Sequence, residues 1–333
     1  MCGKKLISKT NKKIATKSLF KWRDFPVYEL ISYIFMFASV PMLAYGIKPY
    51  NSDILRIIIL TILTFYSGFF AALFWNDITD SDIDKIAHPN RLLPSKKIDK
   101  RSLFGIALIF SALTFIFAFL ISTWCLFFVG VSAVFVAIHN KYLKRRVRFP
   151  AYSEIFSPLQ WTIVATFGFL AIWTALPQVS ELSFDIQFLG NISTSSSSLF
   201  TMILLFFFTY FSDKSHDIAE GIHDEEADKM HNVRTYATSF GIVNASKISF
   251  IMFILSIIFG LILFLYSILS LIFLILFILL FVYSFSFPFK LVKTKKEDLR
   301  SQGVVTGRKV YNFFLFTFNL IFIDLIIQII LNS

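Results

Sequence analysis

Ile54 to Asp84 reads ILRIIILTILTFYSGFFAALFWNDITDSDID. A run of apolar residues long enough to cross a bilayer ends abruptly in four aspartates within nine residues. About 20 apolar residues span the hydrocarbon core, so residues 54–75 are a membrane helix, and the acidic cluster emerges at its end. The same two features recur along the chain, and they decide its class.

Eight further apolar runs are legible, at 27–47, 103–121, 123–138, 155–176, 199–212, 241–265, 268–288 and 311–331. The run at 199–212 is short and is expected to extend into the polar stretch after it. The predicted fold is an all-α integral membrane bundle of nine transmembrane helices. Of the 333 residues, 56% are hydrophobic and 16% charged, with a mean hydropathy of +0.70. Soluble domains carry about 25% charge, so a soluble globular protein is excluded. The first run follows a basic segment but is longer than a signal-peptide core and lacks a small-residue cleavage site. It is read as a retained helix.

Orientation follows from lysine and arginine, which favour the cytoplasmic side. With the N-terminus inside, the tail and the loops after helices 2, 4, 6 and 8 hold 30 of the 32 basic residues, leaving Lys48 and Arg56 outside. Residues 1–26 form a basic cytoplasmic tail and 27–333 a single transmembrane domain. The net charge of +11 belongs to these loops. No basic stripe with interleaved aromatics marks a nucleic-acid module. Cys2 lies in the basic tail and Cys125 in an apolar run, so a shared disulfide is not expected. The outer loop around 177–198 is polar and Ser-rich, and its Asn191-Ile192-Ser193 sequon is read as chance.

The first acidic motif is Asn76-Asp77-Ile78-Thr79-Asp80-Ser81-Asp82-Ile83-Asp84. On a helix, Asp77, Asp80 and Asp84 share one face, with Asn76 at its edge. The second motif runs from Asp213 through Asp217 and Glu220 to Asp224-Glu225-Glu226-Ala227-Asp228. Asp213, Asp217, Asp224 and Asp228 form one stripe at 100° per residue. Stacked like charges repel; a bound cation removes the conflict. Oxygen donors of this kind suit Mg²⁺, which pairs carboxylates with substrate phosphates. Four helices separate the motifs, so both emerge on the same face. Metals between them can bridge a diphosphate and stabilise the charge it gains on leaving an allylic carbon. The apolar bundle can house the isoprenoid tail. No His/Cys pattern marks a zinc site. His216 and His223, beside the motif carboxylates, are read as hydrogen-bonded spectators. The 43 Phe suit a prenyl tunnel, but none is assigned a role.

These motifs resemble those of the UbiA superfamily of intramembrane prenyltransferases. Asn76-Asp77-x-x-Asp80-x-x-x-Asp84 is similar to the family's NDxxDxxxD signature. Asn90-Arg91-Leu92-Leu93-Pro94-Ser95 resembles its N-R-P-x-R-P-L-P-S segment, shortened by one step. Asp224-Glu225-Glu226-Ala227-Asp228 resembles its D-x-E-G-D motif, and Asn232-Val233-Arg234-Thr235 the G-I-K-T-like tail, with Asn for Gly. The nine-helix layout, N-terminus inside, is also the family's. The resemblance implies a Mg²⁺-dependent prenyltransferase that acts on a prenyl diphosphate and a hydrophobic acceptor within the lipid bilayer. It implies Asp77, Asp80, Asp84, Asp217, Asp224 and Asp228 as metal ligands. Asn76, Arg91, Tyr142, Lys144 and Arg234 would then contact the diphosphate, and Lys144 would act as a point cation. The acceptor stays open, because Trp22-Arg23-Asp24-Phe25-Pro26 does not match the Arg-containing motif that holds an aromatic acid in some members. Two other readings stay open as well: a terpene cyclase that needs no acceptor, and a cation transporter. The second would be expected to show inverted repeats, whereas the echo here is parallel.

Overall fold

The structure, a computed structural model, describes residues 26–79, 81, 84–85, 91–157, 159–176 and 181–332. The basic tail up to residue 25, Asp80 and Asn90 lie outside the described residues. The long elements are α1 (Val27–Tyr45), α2 (Ser52–Thr79), α3 (Lys100–Ile121), α4 (Thr123–Ile138), α6 (Leu159–Ala175), α7 (Ser196–Met230), α9 (Ile242–Tyr266), α10 (Leu271–Lys293) and α11 (Leu299–Asn332). Two short helices intervene, α5 (Tyr152–Phe156) and α8 (Tyr236–Phe240). Among the described residues nine helical segments are long and apolar enough to cross a membrane, matching the nine runs read from sequence.

Each spanning helix packs on the next, and α11 packs back on α1, which closes the bundle into a ring. Contacts of α1 with α6 and of α7 with α11 cross its interior. The outward faces carry exposed Ile109, Phe119, Leu279 and Val282. Such contiguous apolar surface on a soluble protein would aggregate; on a membrane bundle it meets lipid. Inside, Phe37, Phe167, Phe208, Phe253, Phe313 and Phe318 are fully buried. Gly168 lets α6 lie against Val40 and Pro41 of α1, because a Cβ there would fall 2.5 Å from Val40 Cγ1.

The helix ends explain how the motifs are presented. α7 begins at Ser195, whose side chain accepts the Ser198 N–H, a standard cap. It then runs 35 residues through the whole second motif, about 52 Å at 1.5 Å per residue. The expected extension of the short apolar run is therefore found. No Gly-Pro break interrupts it, and it stops where Asn232 adopts φ 57°. α11 likewise starts twelve residues before the apolar run that announced it, at Leu299. Gly303 and Gly307 on that added stretch face α7: a Cβ on Gly303 would lie 2.6 Å from the Ala219 carbonyl oxygen. Small residues four apart allow such close approach.

The Ser-rich loop before α7 holds a feature not read from sequence, an antiparallel hairpin of β1 (Leu182–Ile186) and β2 (Gly190–Thr194). Its turn uses Phe188 at φ 73° and Gly190 at φ 91°, and Trp124 Nε1 donates to the Gly190 carbonyl at 2.9 Å.

Candidate active site

The first motif closes α2. Asp77 and Asp84 are buried, and Asn76 beside them is half-buried. Arg91, from the turn that follows, reaches back to both. Its Nη1 lies 2.6 Å from Asp84 Oδ1 and 3.9 Å from Asp77 Oδ1. The turn is built for this: Ser95 Oγ donates to the Arg91 carbonyl at 2.6 Å, and the Lys97 N–H closes on the Leu92 carbonyl at 3.0 Å. Leu92 is buried with Phe74, Ile78, Leu103 and Ala107 in a small apolar cluster that clamps the motif to α3. Asp99 then caps α3, accepting the Ser102 hydroxyl at 2.6 Å and its N–H at 2.9 Å. These bonds hold the exposed Asp99 carboxyl below the usual range. The second oxygen of Asp84 is buried and has no hydrogen-bond partner among the described residues. An open cleft of about 350 Å³ beside the motif, lined by Lys85, Lys96, Lys100 and Asp99, contains neither Asp77 nor Asp84.

The second motif divides into faces. Glu225 pairs with Lys229 and with Arg300, whose Nη2 is 2.9 Å from Glu225 and 2.7 Å from Glu226. These two acids are thereby tied to α11. Asp224 is exposed and Asp228 half-buried on a different side of α7. Asp217 accepts a hydrogen bond from Ser157 Oγ at 2.5 Å. Asp213 is buried. Ligand atoms of Asp213, His216 and Asp217 lie within 4.8 Å of one another. Asp217 thus groups with Asp213 and His216, and both it and Asp228 act electrostatically on Glu154. An apolar cluster including Ile218, Ile222, Ala245 and Leu299 fixes this part of α7 between α9 and α11. Across α7 and α9, Ser215 and Ser249 exchange hydroxyl-to-carbonyl bonds of 2.9 and 2.7 Å.

The loop after α4 opens with a π-helical turn, His139–Leu143. Such turns concentrate at functional sites. Lys144 follows and acts electrostatically on Asp228, so the predicted point cation and the second motif share a neighbourhood. Tyr142 is exposed, with Lys141 Nζ 5.1 Å and the Arg146 guanidinium 5.7 Å from its ring centroid. Among the described residues its ring meets these helix neighbours and no motif carboxylate. Arg234 has an exposed side chain, while its carbonyl accepts the Ser153 N–H at 3.0 Å.

Two charged residues went unassigned at the level of sequence. Glu154, on α5, is buried, accepts the Tyr236 N–H and sits against Gly221, where any Cβ would overlap it. Lys214 is buried, hydrogen-bonds Tyr210 and lies 4.3 and 5.6 Å from the Tyr210 and Tyr236 ring centroids. Glu154 and Asp217 both act on its charge. Lys214 could have been found as the one lysine within the acidic stripe, four residues after a tyrosine. Glu154 carried only the weak signal of a lone acid heading an apolar run.

A closed ring of membrane helices with two carboxylate motifs at the C-terminal ends of its second and sixth spans defines a class of intramembrane enzymes. The UbiA prenyltransferase family model matches residues 33–317, and the chain belongs to that family. It is 27% identical over 184 residues to digeranylgeranylglyceryl phosphate synthase of Saccharolobus solfataricus, a match covering 55% of this chain and 56% of that protein. The chain thus spans about half the length of this curated relative. The fold is similar to a UbiA homolog from Aeropyrum pernix K1, with TM-score 0.61, 15% identity, and coverage of 87% of this chain and 98% of that one. It is also similar to a UbiA homolog from Archaeoglobus fulgidus bound to DMAPP and Mg²⁺, with TM-score 0.56, 16% identity, and coverage of 88% and 96%.

Proposed function

We propose that this chain transfers an isoprenoid group from a prenyl diphosphate to a hydrophobic acceptor within the membrane, with Mg²⁺ and release of diphosphate. The observation that carries the reading is the buried Asp77–Arg91–Asp84 arrangement with one Asp84 oxygen left over. Carboxylates are rarely buried unless paired, and an orphaned buried oxygen is costly. The donor set, hard oxygens with none of sulfur, fits Mg²⁺.

Asp77, Asp80 and Asp84 would hold one cation and Asp224 and Asp228 another, with Asn76 at the edge of the first set; Asp217, which the resemblance adds to the second set, lies with Asp213 and His216. The cations, when bound, supply the positive charge that stabilises the departing diphosphate. Arg91 neutralises the first motif in their absence. With cations held by the carboxylates, Arg91 would be free to pair with phosphate oxygens, which its planar fork suits. Lys144 adds a point charge near Asp228, and Arg234 and Tyr142 flank the same mouth. The aromatic interior excludes water from the allylic cation and receives the prenyl tail.

The domain is residues 27–333, with the tail and the motif-bearing ends in the cytoplasm. The basic-residue asymmetry supports this orientation. The relative from Saccharolobus makes a lipid acceptor the first to test; an aromatic quinone precursor is the second. Purified protein would be given farnesyl or geranylgeranyl diphosphate and Mg²⁺, with and without a membrane-lipid extract. Diphosphate release that requires the extract supports the transferase, and the product mass gives the acceptor. Release without it identifies a cyclase, and no release under any condition overturns the reading.

A further inference from the structure

We infer that Asp213, His216 and Asp217 form a separate divalent-cation site, about two to three helical turns before the Asp224–Asp228 pair on α7, that takes an ion with affinity for imidazole, such as Mn²⁺ or Zn²⁺. Ligand atoms of the three residues lie within 4.8 Å of one another, which suits a single ion.

The histidine is prepared for this role. His216 Nδ1 lies 3.2 Å from the Gly307 carbonyl oxygen. A carbonyl only accepts, so Nδ1 carries the proton and Nε2 keeps its lone pair. A metal-bound histidine characteristically donates its other N–H to a carbonyl or carboxylate, which sets tautomer and ring orientation. Glu220 lies 3.7 Å from the same Nδ1. The ring also packs at 4.8 Å on Tyr311, whose hydroxyl is 2.5 Å from that of Tyr33. Tyr33 in turn donates to Glu29 at 2.9 Å. The imidazole is therefore held from α1, α7 and α11 together.

Asp213 supplies the second, independent observation. It is 2% exposed. Among the described residues no hydrogen-bond donor or cation pairs with it, and the charges acting on it are those of Asp217 and Glu220, both negative. Asp217, by contrast, has Ser157 Oγ and the nearby Lys214 charge. A buried carboxylate facing only like charges calls for a cation. One turn deeper on the same face, the Thr209 hydroxyl is buried without a partner. Thr114, Thr174 and Thr317 instead bond the carbonyl four residues back at 2.8 to 2.9 Å, the usual recourse of threonine in a membrane helix. Thr209 leaves its oxygen available beside Asp213.

Imidazole with carboxylates favours transition ions over Mg²⁺, so this site differs in kind from the all-oxygen motif pairs. It does not depend on prenyl transfer. The test uses the full chain, purified in detergent, stripped of metal and loaded with Mn²⁺ under excess Mg²⁺. Pulsed electron paramagnetic resonance then reads nitrogen coupling to the bound ion. Imidazole coupling is expected in the wild type, retained in the Asp224→Asn/Asp228→Asn variant and lost in His216→Gln. Asp213→Asn is expected to weaken Mn²⁺ binding by about tenfold or more, the range that follows loss of even an outer-shell partner. Absence of nitrogen coupling in the wild type, its persistence in His216→Gln, or unchanged affinity in Asp213→Asn would each overturn the proposal. Should His216→Gln fail to fold, the wild-type spectrum and the Asp213→Asn titration decide.

Discussion

Arg91 lies 2.6 Å from Asp84 and so stands where a cation would be expected to sit. Both Asp84 and its neighbour Asp77 are buried, so the guanidinium offsets their charge at this end of α2. On the proposed function it competes with Mg²⁺ for the carboxylates and cooperates with it on diphosphate. Arg91→Ala is therefore expected to bind Mg²⁺ more tightly in the absence of substrate, by calorimetry, and to turn over prenyl diphosphate roughly 10²-fold more slowly, the size of one lost transition-state donor. A structural ion pair alone would lower both quantities together.

Glu29 and Arg308 join the first and last helices across the ring, 2.7 Å apart. Glu29 is buried, while the Arg308 side chain is 42% exposed. Removing one partner of a fully buried pair costs about 3–5 kcal/mol. Solvation of Arg308 reduces that to about 1–3 kcal/mol here. A double-mutant cycle of Glu29→Gln and Arg308→Gln, read by thermal unfolding in detergent, is expected to show coupling of this size. Additive effects would mean that the pair does not close the ring.

Gly303 abuts the backbone of α7 at Ala219, and a carbonyl oxygen cannot step aside as a side chain can. Gly303→Ala is expected to push α11 off the second motif, at a cost of about 1–3 kcal/mol, and to lower the melting temperature. Gly105→Ala, where a Cβ meets nothing within 4 Å, is the matched control. Equal melting temperatures for the two would refute the close packing.

The orientation can be tested by labelling. Single cysteines at Phe188, on the hairpin tip, and at Lys97, in the turn beside the first motif, are placed in a background with Cys2 and Cys125 replaced. Impermeant maleimide added to intact cells is expected to modify the Phe188 position and to reach the Lys97 position only after the membrane is opened. The reverse pattern would invert the proposed topology.

The spans were legible because bilayer thickness imposes a length of apolar sequence, and the helices follow it closely. Ends were less legible at α11: the extension of α7, rich in the good helix formers Glu, Ala and Lys, was expected, whereas the Gly- and Val-containing stretch that starts α11 at Leu299 gave no such signal. The hairpin at 182–194 hid in a Ser-rich loop, its strands too short for their alternation to stand out. In the site, the carboxylates announced themselves by spacing. The partners did not. Glu29 and Arg308 are 279 residues apart, and only folding shows that Arg300 neutralises Glu225 and Glu226 while, among the described residues, no cation pairs with Asp213. The spacing of Asp213, His216 and Asp217 was visible on a helix, but the carbonyl of Gly307 that orients the imidazole belongs to another span.

The central claim is that the two carboxylate motifs act together on one diphosphate. The most direct measurement is Mg²⁺-dependent diphosphate release from geranylgeranyl diphosphate by the wild type, Asp84→Asn, Asp228→Asn and the double variant, each checked for folding. Groups that work as one unit are non-additive. The expected result is that each single variant loses about as much activity as the double. Near-wild-type release in either single variant, or losses that multiply in the double, would contradict it.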